Sequence, residues 1–82
     1  MSDESIAARV ERLVKEEHEL RNREQSDAGE ALEADAERLR AVEVELDVCW
    51  DLLRQRRARR DAGVDPDEAA ARDPNTVERY LQ

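Results

Sequence analysis

Aromatic residues are nearly absent: there is no phenylalanine, and Trp50 and Tyr80 stand alone among 82 residues. Strands draw on aromatic and β-branched runs, and with neither in supply a β-fold is excluded. Cysteine occurs once, at Cys49, so no intrachain disulfide can form and a reducing compartment is expected. No apolar run approaches the ~18 residues of a membrane span. The opening MSDESIAARV lacks the basic start and apolar block of a secretory signal, and a cytoplasmic protein is expected. With two glycines and two prolines, little interrupts long helices, and neither a glycine-rich phosphate loop nor a nucleophile elbow exists.

What the chain does have is charge. Asp, Glu, Lys and Arg make up 44% of it, with a formal net charge of −8, and alanine, glutamate, leucine and arginine dominate, as in long helices. The apolar share of 39% includes twelve alanines. A short chain with few large apolar side chains buries a small core, and sharing that core with a second copy would enlarge it.

Ser2 caps a first helix, predicted over about residues 3–24, with Asp3 and Glu4 beside the positive end of its dipole. Ile6, Val10, Leu13, Glu17 and Leu20 recur at spacings of three and four, one helical face that Val14 widens. Asp27 with Glu30 reads as a capping box opening a second helix over about 28–62, ended by Gly63. Its stripe is Leu32, Ala36, Leu39, Val42, Leu46, Cys49 and Leu53. Folding back would pair Leu20 with Leu32, Leu13 with Leu39, Val10 with Val42 and Ile6 with Leu46. The expected fold is all-α: an antiparallel, coiled-coil-like two-helix hairpin over residues 1–63 with a longer second helix. Residues beyond about Leu53 should overhang the first helix. In the tail, 64–82, Asp65-Pro66 and Asp73-Pro74 each place a cap before a proline at the first helical position, and Val77, Tyr80 and Leu81 share one side.

Helix 2 carries a second apolar stripe, Ala41, Val44, Val48 and Leu52, roughly opposite the first. A helix in a simple hairpin needs only one such face. Self-association through this stripe, giving a dimeric four-helix bundle, is the functional expectation; a tail folding back to cover Leu52 and Val48 with Tyr80 and Leu81 is the other, and the two are compatible. Trp50, beside Cys49 and Leu53, is expected to plug the junction of hairpin and tail.

Reactive constellations are sparse. His18 in KEEHEL has glutamates beside it in sequence, but neighbours point about 100° apart on a helix, and Lys15 occupies the position where a di-iron bundle places its glutamate. Metal-dependent activity around His18 is therefore a third reading, and no metal, cofactor or catalytic residue is assigned. Glu17 sits in the core stripe at the level of Asp35, with Arg38 and Arg21 as candidate partners, a polar layer that specifies pairing. Five arginines, Arg54, Arg56, Arg57, Arg59 and Arg60, fall within DLLRQRRARR. Residues 1–53 hold sixteen carboxylates against seven cations, so the run is a basic island in an acidic chain. The arginines spread around the helix as a collar and follow no single groove-tracking line. They are expected to clasp the tail, the N-terminus or a partner's acidic end; a nucleic-acid regulator acting through this end is the runner-up.

EEHELR (16–21), CWDLLRQRRARR (49–60) and ERYLQ (78–82) together resemble a family of short actinobacterial proteins of unknown function, marked by EEHxLR, CWDLLRQRR and a C-terminal YLQ. The resemblance spans nearly the whole chain. It implies a small helical protein and brings no activity, cofactor or site residue with it. A noncatalytic self-association or protein-interaction module is the reading that results.

Overall fold

The computed structural model describes the backbone of residues 2–26 and 30–81 and the side chains of 2–23 and 33–79. Two long helices, α1 (Asp3–Ser26) and α2 (Glu30–Asp61), are followed by a 3-10 turn (Pro66–Glu68) and a short helix α3 (Pro74–Leu81). Among the described residues there is no strand. The Asp27–Glu30 capping box, the Leu20–Leu32 pairing and the expected cover from Tyr80 and Leu81 lie outside the described set.

Each boundary has a local cause. The Ser5 amide donates to Ser2 Oγ at 3.1 Å while the Ser2 amide donates to Ser5 Oγ at 3.0 Å, a reciprocal box that satisfies the first turn of α1. At the other end of α2, Gly63 takes φ +76°. Its amide donates to the Arg60 carbonyl at 3.1 Å and the Val64 amide to the Arg59 carbonyl at 2.9 Å, the paired bonds of a Schellman stop. Asp65 and Asp73 act as expected for caps, accepting from the amides of Asp67 and Asn75 at 2.9 and 2.8 Å.

Ile6, Val10, Leu13, Leu20, Leu39, Val42, Leu46, Cys49 and Leu52 form one buried cluster, with Val14, Leu53 and Ala69 packed at its edge. Among the described residues these follow the predicted stripes with Leu52, assigned from sequence to the outer face, added to the core, while Glu17, Ala36 and Leu53 are only partly covered. The register also differs. α1 runs to Ser26 and α2 starts at Glu30, each two residues later than expected, and the ion pairs across the two helices fall two or more residues further along α2 than the expected pairing. Arg9 accordingly meets Glu45 at 3.6 Å and Asp3 reaches Arg56 and Arg60. With Asp3–Ser26 against Glu30–Asp61, α2 still extends past α1 beyond about Leu53, and the Arg56 and Arg60 side chains reach back from that extension to Asp3.

The tail turns back along α2. Gln55 Nε2 donates to the Ala70 carbonyl at 3.0 Å, Arg72 lies 3.4 Å from Asp51, and Glu78 lies beside Asp47. Falling numbers on α2 against rising numbers in the tail make α3 antiparallel to α2, and Val77 is buried in that contact. Among the described residues α1 and α3 each pack on α2 and not on one another. The result is a plate, 52 × 25 × 15 Å, with α2 in the middle.

Polar layers hold the long helices in register. Arg38 clamps Glu16 with two bonds of 2.6 and 2.9 Å, which holds the Glu16 carboxyl below its ordinary range. Arg21 meets Glu43 at 2.8 Å and Glu17 at 3.7 Å, and Arg23 meets Asp35 at 3.1 Å. Glu17 and Asp35 thus each lie beside an arginine, Arg21 being shared with Glu43.

Candidate functional site

At the far end of α2 the basic island divides into separate roles. Arg56 follows Cys49 by seven residues, two helical turns, and so returns to the core stripe. Its side chain is only 8% exposed. Burial of a guanidinium is costly without partners, and three are supplied: Nε donates to Asp3 Oδ1, and Nη1 donates to Asp67 Oδ1 at 3.0 Å and to the Pro66 carbonyl at 3.1 Å. One side chain therefore joins the first turn of α1, the end of α2 and the 3-10 turn. Arg60 adds a second contact to Asp3 at 2.8 Å and Arg59 one to Glu68 at 3.6 Å. The hydrogen bond from Arg56, helped by the charge of Arg60, draws the Asp3 carboxyl below its ordinary value.

Arg54 and Arg57 differ. Arg54 is 56% exposed and reaches Asp51 only at 4.0 Å. Arg57 is exposed and has no ion pair among the described residues. Composition alone treats the five arginines alike; position relative to Cys49 separates Arg56, and that signal was present in the sequence. Asp51, buried without any such signal, accepts from Gln55 Nε2 at 2.9 Å and lies near Arg72. The tail buries it.

The second stripe is only partly open. Ala41 is exposed, Val44 and Val48 are half-buried, and Leu52 belongs to the core. Because α1 and α3 do not meet, an apolar groove of about 220 Å³ remains between them, floored by Val44, Val48, Cys49 and Leu52 and walled by Ile6, Ala71 and Pro74. Arg9 and Glu45, already paired at 3.6 Å, stand at its rim. Burial pushes the Cys49 thiol up from its ordinary value, away from the thiolate that nucleophilic chemistry needs. The chemistry of this groove is apolar contact.

Trp50 departs from its expected place. It does not plug the hairpin–tail junction but is 48% exposed. At about 100° per residue it stands ~20° from Leu39 and ~60° from Leu53, at the margin of the stripe. His18 is exposed on α1. Among the described residues no group of three or more His, Cys, Asp or Glu side chains converges on one point. No described helix is long and apolar enough to cross a membrane.

Comparison with known proteins matches residues 2–82 to the model of a family described as "Protein of unknown function (DUF2630)". Uncharacterized proteins of Mycobacterium bovis (Mb0922c) and Mycobacterium tuberculosis (Rv0898c) are each 44% identical to the chain over 79 residues, which covers 96% of this chain and 90% of theirs. No solved structure matches it.

Proposed function

The chain belongs to this family of proteins of unknown function, so its role must be argued from its own geometry, and we propose a noncatalytic, cytoplasmic association module that pairs with a second copy through the groove face of α2. One observation carries the reading. A plate only 15 Å thick leaves an apolar groove open between α1 and α3, with Val44 and Val48 half-buried on its floor. Apolar surface held out of a small core is where association gains most, at roughly 25 cal/mol per Å² removed from water. A two-fold arrangement would lay the groove of one copy on that of the other, so that each Val48 covers the partner's floor. The polar rim suits this, since Arg9 and Glu45 neutralise each other and bring no unpaired charge into the interface.

With Leu52 in the core, the association surface is reduced from the four-residue stripe to Ala41, Val44 and Val48 with the groove walls. Sedimentation equilibrium at ~100 µM, a range in which weak dimers with roughly −5 to −6 kcal/mol of binding free energy are populated, is the test. A dimer is expected for the wild type, and monomers for Val48→Glu and for the exposed Ala41→Glu, with helicity unchanged by circular dichroism. A wild-type monomer, or dimers undisturbed by both substitutions, would remove the proposal.

A further inference from the structure

On the other broad side of α2 lies a second unpartnered surface, independent of the groove reading. Trp50 is followed by Arg54 four residues on and Arg57 seven residues on, which places the three within ~60° of one another around the helix. Val48 is ~200° away, on the groove side. Trp50 and Val64 are the large hydrophobic residues left exposed among those described. Arg54 and Arg57 are the two arginines of the basic island that the chain's own carboxylates leave largely unused, while Arg56, Arg59 and Arg60 are held at 2.8 to 3.6 Å or closer. Nothing in the fold requires this arrangement. The indole is left 48% exposed, and Arg57, which has no ion pair among the described residues, and Arg54, which reaches Asp51 only at 4.0 Å, lie in a chain of net charge −8 with a surplus of carboxylates they could have met.

We infer that Trp50, Arg54 and Arg57 form a docking face for an acidic amphipathic helix of another protein. Tryptophan and arginine are the side chains that most often dominate binding energy at interfaces, the first through apolar area and the second through bidentate pairing with carboxylates. The spacing defines the partner. Arg54 and Arg57 are one turn apart, ~5 to 6 Å between Cβ atoms, and meet two carboxylates spaced one turn apart on a facing helix. Trp50, one further turn back, takes an aliphatic side chain next to them. Single-stranded nucleic acid also joins stacking to cation contacts, but it needs a positive track along several phosphates. Two guanidinium groups on an otherwise acidic plate do not provide one.

Trp50 is the sole tryptophan and reports on its own contact. The full chain would be titrated at ~50 mM salt with a blocked 18-residue helical peptide of Glu, Ala and Leu, in which leucines line one face and glutamates flank them at one-turn spacing. A blue shift of Trp50 emission that saturates is expected, together with at least ~tenfold weaker binding by Arg54→Gln/Arg57→Gln, the loss of about 1.4 kcal/mol or more in charge-assisted pairing. Val48→Glu should bind as the wild type does, which separates this face from the groove. The inference is overturned by an unmoved emission at millimolar peptide, by equal binding of the version with Lys in place of Glu, or by an undiminished affinity in the double variant. Tighter binding of a twenty-residue oligothymidine would reassign the face to nucleic acid. A blue shift that follows protein concentration alone would reassign it to a second copy.

Discussion

Replacing Gly63 by alanine isolates the turn that aims the tail at α2. The glycine has φ +76°, and a Cβ built on it would meet nothing within 4 Å. Any penalty is therefore conformational and not steric. An L-residue in this region costs roughly 1 to 2 kcal/mol, and alanine returns about 0.4 to 1 kcal/mol by restricting the unfolded chain. The net expectation is a loss of about 1 kcal/mol. For a chain of this size that lowers the thermal midpoint by about 4 to 8 °C. Gly63→Asn, whose side chain tolerates the left-handed region, should fall between the two. Thermal and urea unfolding followed by circular dichroism read the magnitude. The same turn sets where Asp67 and Pro66 meet Arg56, so the penalty should shrink in an Arg56→Gln background if the turn's main product is that contact. Alanine as stable as wild type would refute the assignment of the strain to Gly63. An undiminished penalty in the Arg56→Gln background would refute its link to the clasp.

Two further outcomes follow from the arginine end and from α3. Arg56→Gln should loosen the tail and accelerate proteolytic cleavage after Arg72 at least severalfold, whereas Arg57→Gln, which breaks no ion pair among the described residues, should leave the rate unchanged; equal rates in both variants would dissolve the distinction. Glu78 lies against Asp47, and sharing a proton with that carboxylate raises its pKa, with burial and the negative charges of Asp47 and Glu43 adding to the effect. Its raised pKa favours the protonated form in the folded state, so docking of α3 should strengthen as pH falls from neutral through the raised value and weaken as pH rises. Asp3, held low by Arg56, contributes the opposite slope, with stability present above the unfolded pKa and lost in stronger acid. Hydrogen exchange across residues 74–81 should show increased protection in mild acid, and Glu78→Gln should abolish that increase.

The helices were legible because their determinants are local. Ser2 with Ser5, Gly63, and the Asp-Pro pairs act over two to five residues, and the spacing of Ile6, Val10, Leu13 and Leu20 shows which side of α1 is buried wherever α2 lies. Register was less legible. It depends on where the chain reverses, and a two-residue shift in that position moves the facing pairs two or more residues further along α2. Trp50 was misplaced for a related reason: its position at the margin of the stripe leaves burial to be decided by how far α1 extends across α2.

The sequence by itself determined an all-helical chain, the stripe along which its two long helices meet, and the caps that end them. It also carried, in the heptad from Cys49 to Arg56, the sign that one arginine turns inward. Tertiary structure alone decided that Leu52 would be core, that Asp51 would be buried under Arg72, and that Arg54 and Arg57 would stay exposed while Arg56 joined three elements. Those outcomes rest on contacts between residues as far apart as 53 positions, Asp3 with Arg56. Local propensity and periodicity report nothing over that distance, because the partner is set by how the tail and α1 share the surface of α2.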